Sequence, residues 1–76
     1  MSMRLRMKIY GRVQGVFFRS SAREKMQELG LKGWVRNCDD GCVETEVEGD
    51  EIAVNNYRTW CAKGPKLAEV ERVEEI

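Results

Sequence analysis

The apolar residues change period after the first ten positions. Met3, Leu5, Met7 and Ile9 alternate with Arg4, Arg6, Lys8 and Tyr10, the pattern of a strand with one buried face that runs to about Tyr10. Beyond the stretch GRVQGVFFRS, Phe18, Ala22, Met26 and Leu29 recur at helical spacing. Ser21 and Glu24 match a capping box at the start of this helix, and Gly30 supplies its C-terminal stop. LKGWVRNC and CVETEVEG then read as two strands of a hairpin around DDG, with Val43, Thr45 and Val47 on one face of the second and Glu44, Glu46 and Glu48 on the other. Asp50 is placed to cap a second helix, whose apolar stripe of Ala53, Val54, Tyr57, Trp60 and Cys61 ends at Gly64-Pro65. In the tail, Val70, Val73 and Ile76 lie three apart, which suits a helix as well as an irregular strand. A strand is expected there because it completes a sheet. The order βαββαβ defines an α+β, ferredoxin-like sandwich: a four-stranded antiparallel sheet with two helices on one face.

A chain of 76 residues is expected to form one domain over residues 1–76, and its core is modest, so few apolar side chains are free to line a deep pocket. The 42% hydrophobic and 34% charged content is that of a soluble globular domain. No apolar run approaches the ~20 residues of a membrane span. The start, MSMRLRMKIY, also lacks the separate basic and apolar blocks of a signal peptide. A cytoplasmic protein without a membrane partner is the expectation.

Net charge is zero, yet residues 1–36 hold nine Lys/Arg against two acids and residues 37–76 hold four against eleven. The basic half either faces an anion or meets acidic surface within the fold. Overall neutrality argues against a nucleic-acid binder, and the strands lack the aromatic-rich segment with which RNA-recognition modules stack bases. Cys38, Cys42 and Cys61 are odd in number, with no Cys-x-x-Cys and no histidine anywhere. A four-ligand structural zinc site is therefore not expected, and the cysteines read as reduced packing residues, although Cys38 and Cys42 flank a tight turn. Without histidine there is neither a Ser-His or Cys-His nucleophile pair nor a phosphohistidine intermediate.

Two segments carry candidate chemistry. A glycine-rich passage from a strand into a helix can turn backbone N–H groups toward an anion, with help from the helix dipole. Gly11 and Gly15 permit such turns, Gln14 to Arg19 bring N–H donors, and Arg19 at the helix entrance has a guanidinium able to grip two phosphate oxygens. In the second segment, GWVRNCDDGCVETEVEG, Asn37 ends a strand while Trp34 or Val35 packs inward. Its amide is placed either to orient a water molecule or to bond its own turn.

Taken together, IYGRVQGVFFR (Ile9 to Arg19) and GWVRNCDDGCVETEVEG (Gly33 to Gly49) resemble the two signature segments of the acylphosphatase family. LGLKGWVRN, EGDE and KGP follow in the family's order, so the resemblance covers roughly Arg4 to Val73. It implies a ferredoxin-like fold and hydrolysis of acyl phosphates to a carboxylate and inorganic phosphate, by direct attack of water and without metal or cofactor. It further implies a phosphate cradle formed by the backbone amides of Gln14, Gly15, Val16, Phe17, Phe18 and Arg19. In that likeness the Arg19 side chain binds the phosphoryl group and Asn37 holds the attacking water. Members usually continue past the point where this chain stops, so an exposed sheet edge open to self-association is expected. The competing reading is a non-catalytic anion-binding or interaction module of the same fold.

Overall fold

The computed structural model describes residues 1–76 as β1 (Ser2–Arg12), α1 (Phe18–Leu29), β2 (Lys32–Asn37), β3 (Val43–Asp50), α2 (Glu51–Lys63) and β4 (Glu69–Glu75). The strands form one antiparallel sheet in the order β2-β3-β1-β4. β2 and β4 are its edges, and the tail whose spacing was ambiguous is a strand. No helix is long and apolar enough to cross a membrane.

The alternation in β1 aims Leu5, Met7 and Ile9 at the helices, where all three are buried. Leu5 pairs with Val47, Met7 with Thr45 and Ile9 with Val43, so the two central strands present a continuous apolar face. Phe18, Ala22 and Met26 of α1 and Val54, Tyr57 and Cys61 of α2 close on it, within one cluster of 15 buried residues. Phe18 and Trp60 bring the helices together with ring centroids 5.4 Å apart. The single polar link through this core runs from Tyr57 to Thr45, oxygen to oxygen at 2.8 Å, with the Thr45 hydroxyl also 2.8 Å from the Trp34 carbonyl oxygen. Asp50 caps α2 as its sequence position suggested, accepting from the Ile52 N–H at 3.0 Å.

β1 extends two residues beyond Tyr10, through a change of register. Tyr10 opposes Arg72 and Gly11 opposes Val70, so Glu71 is the extra residue of a bulge in β4. Gly11 has φ 128°, and a Cβ there would stand 2.2 Å from the Glu69 carbonyl oxygen and 2.8 Å from the Glu71 nitrogen. A bulge of this kind increases the local twist at the end of β1. Gly11→Ala is therefore expected to destabilise the fold by roughly 1–3 kcal/mol, a combination of positive-φ strain and displaced backbone. A lowered urea midpoint with an unchanged m-value checks this.

The opposite face of the sheet holds an arrangement the alternation does not reveal. Glu44 points away from the helices, as expected, yet is only 2% exposed. Arg6 donates to its Oε2 at 2.8 Å through Nε, Arg36 binds its Oε1, and the Trp34 ring lies beneath both guanidinium groups at 5.5 and 5.9 Å. The hydrogen bond from Arg6 is the largest influence holding the Glu44 carboxyl below its ordinary value of 4.5; desolvation opposes it, and Arg36 adds to it. A depressed folded-state pKa gives stability that is complete above the unfolded value and lost as pH falls through the folded one. The urea midpoint is thus expected to fall as the pH is lowered below 4.5, and Glu44→Gln to lose part of that acid dependence. Equal acid sensitivity in the variant contradicts this.

Candidate active site

α1 begins without the usual side-chain cap. Its N-cap is Phe17, in the left-handed region at φ 65° and ψ 24°, no side chain caps it, and its first turn has no acidic residue. This corrects the expected helix start: Ser21, read as the cap of a capping box, lies one turn inside the helix, where its N–H reaches the Phe17 carbonyl at 3.1 Å. Phe18 explains the earlier start, since its ring, 1% exposed, is held against α2 and draws the chain into helical geometry at once.

The consequence for the loop is a run of free donors. No backbone N–H from Gln14 to Ser20 gives a hydrogen bond to a carbonyl or side chain of the protein. Positive φ at both Gly15 and Phe17 is the kind of alternation that makes successive N–H groups converge on one point. A phenylalanine in this conformation stores strain of order 1 kcal/mol, and its side chain, 71% exposed, gains no burial in exchange.

Gln14 anchors the loop. Its Nε2 donates to the carbonyls of Cys38 at 2.8 Å and Cys42 at 2.9 Å, joining the entrance of α1 to the turn between β2 and β3. That turn begins where Asn37 ends β2, opposite Val43. Val35, not Trp34, packs inward, and Asn37, two residues on, shares its helix-facing side. Asn37 Oδ1 is buried and accepts no hydrogen bond from the protein.

These elements surround a cleft of about 330 Å³, lined among others by Gly15, Phe17, Phe18, Arg19, Arg23 and Asn37. Four of the six expected cradle residues and Asn37 therefore meet at one place. Gln14 and Val16 do not line it; Gln14 ties the loop to the hairpin, and Val16 is buried behind the loop. Arg23 was missed. Its signal was its position four residues after Arg19, one helical turn along the same face. No carboxylate lines the cleft, and neither Arg19 nor Arg23 enters any of the six salt bridges, so both cations are uncompensated. The arrangement can bind a small, strongly charged anion and present a polar side chain to one side of it.

A small α+β domain with an anion-facing loop between its first strand and helix is what the fold and site define. A model of the acylphosphatase family matches residues 5–76. The chain is 55% identical over 73 residues to an acylphosphatase of Synechococcus sp. (strain CC9311), covering 96% of this chain and 81% of that one. It is 54% identical over 71 residues to one of Rubrobacter xylanophilus, covering 93% and 64%, and so spans less than two thirds of that relative's length. The crystal structure of acylphosphatase from Bacillus subtilis matches it with a TM-score of 0.93 at 34% identity, over 100% of this chain and 83% of that one. The chain belongs to the acylphosphatase family.

Proposed function

We propose that this protein hydrolyses acyl phosphates to a carboxylate and inorganic phosphate, by direct attack of water on phosphorus. The observation that carries this reading is the pairing, in one cleft, of a buried and unpartnered Asn37 Oδ1 with the free N–H groups and guanidinium at the start of α1. Family membership supplies the substrate class.

In this reading the N–H groups of Gly15, Phe17, Phe18 and Arg19, with the Arg19 side chain, surround the phosphoryl oxygens. Their task is to stabilise charge that spreads over those oxygens as the P–O bond to the acyl group lengthens. The Asn37 side-chain amide, at the edge of the cleft, holds the attacking water and turns the water's lone pair toward phosphorus. Phosphoryl transfer is largely dissociative and asks little of a general base. The departing carboxylate has a conjugate acid of pKa about 4, so no acid is required to protonate it. Absence of histidine is therefore compatible with the chemistry. Arg23, one turn further along α1, adds positive charge at the cleft and strengthens capture of the anion without touching the reacting bond.

The same reasoning sets a limit on substrates. An alkoxide leaving group is a far stronger base than a carboxylate, and the site offers nothing to protonate it. Phosphate release from benzoyl phosphate is expected to be rapid, with inorganic phosphate a competitive inhibitor, while a simple alkyl phosphate is left intact over the same time. Comparable turnover of both would show that leaving-group chemistry does not govern this site.

A further inference from the structure

Cys38 Sγ, Cys42 Sγ and a carboxylate oxygen of Asp40 lie within 4.8 Å of one another on the turn between β2 and β3, away from the cleft. We propose that these three groups form a binding site for a thiophilic divalent cation, Zn²⁺ or its analogue Cd²⁺, with a fourth position open to water. Two thiolates select an ion of this softness, whereas Mg²⁺ or Ca²⁺ requires a shell of oxygens. Tetrahedral bonds of ~2.3 Å to sulfur place two ligand sulfurs roughly 3.8 Å apart, so the two sulfurs, no more than 4.8 Å apart, need to close by at most about 1 Å.

The turn already holds its ligands in place. Cys38 N–H donates to the Cys42 carbonyl at 2.9 Å, Gly41 N–H to the Cys38 carbonyl at 3.1 Å, and Cys42 N–H to Asp40 Oδ1 at 3.2 Å. Cys38 is half-buried, Asp40 exposed and Cys42 buried, which gives an ion an entry from solvent and one ligand fixed by the fold. Glu44 is no competitor, because both of its oxygens are taken by Arg6 and Arg36. On binding, each thiol gives its proton to solvent and a metal–sulfur bond replaces the S–H bond, with no change of oxidation state. Because the carbonyls of Cys38 and Cys42 also hold Gln14, an ion in this turn is one hydrogen bond removed from the loop that enters α1.

The test is titration of the full, reduced chain with Cd²⁺ in a chelator-free buffer containing a non-thiol reductant, followed by the ultraviolet charge-transfer band of cadmium thiolates. A band that rises to one equivalent and is displaced by Zn²⁺ is expected. Cys38→Ser should remove most of the band, and Asp40→Asn should weaken binding by about tenfold or more. Cys61→Ala, in the core on α2, should leave the titration unchanged. Cys42 is buried, so the substitutions at Cys38 and Asp40 carry the test, with circular dichroism checking that each variant folds. Absence of a band at equimolar Cd²⁺, or an unchanged titration in Cys38→Ser, overturns the proposal.

Discussion

Arg19→Ala is expected to lower kcat/KM for benzoyl phosphate by at least ~10²–10³-fold, with KM raised as well as kcat lowered. Both should change because the guanidinium meets the phosphoryl group in the ground state and meets more charge in the transition state. A preorganised donor of this kind is typically worth about 2.7–4 kcal/mol. The fold should not suffer, since Arg19 is exposed and makes no side-chain hydrogen bond or salt bridge. Arg19→Lys keeps the charge but loses the two-pronged grip, so only partial recovery is expected. Steady-state kinetics with a urea midpoint on each variant make the check; full activity in a folded Arg19→Ala protein removes the residue from the mechanism.

Asn37→Ala should separate rate from stability. Loss of the amide that positions water is expected to reduce kcat by ~10²-fold with a smaller change in KM, because the water, and not the phosphoryl group, is what Asn37 holds. Asn37 Oδ1 accepts no hydrogen bond from the protein, so removing the side chain breaks none there that holds the fold. Replacing Asn37 with alanine should therefore leave the urea midpoint nearly unchanged while activity falls. A structural asparagine behaves in the opposite way: stability drops and the rate of the folded fraction is kept. The combination measured on one variant distinguishes the two roles.

The architecture was legible from periodicity because each element shows its buried face in a short repeat. Residues Met3 to Ile9 and Val43 to Val47 alternate, and the stripe ending at Cys61 has helical spacing, so the sandwich follows from patterns a few residues long. What the pattern missed depends on long-range contacts. The capping box at Ser21 is a valid local signal, but Phe18 docking on Trp60 begins the helix earlier and leaves its N–H groups uncapped. Glu44 occupies a solvent-side position in the alternation and is nonetheless buried, because Arg6, Trp34 and Arg36 from two neighbouring strands cover it. At the site, glycines and an arginine marked the loop, whereas the meeting of Arg19 with Asn37 depends on Gln14 reaching the hairpin turn, which lies 24 residues away. The cluster of Cys38, Asp40 and Cys42 was visible as a spacing only; its convergence required the turn.

The most direct test of the central claim is phosphate release from benzoyl phosphate in the presence of EDTA by the wild-type chain, with Arg19→Ala and Asn37→Ala alongside. Rapid wild-type turnover that is lost in both folded variants is the predicted result. A folded wild-type protein that binds phosphate yet leaves benzoyl phosphate intact would contradict it, and would identify the loop before α1 as the cradle of a non-catalytic anion-binding module.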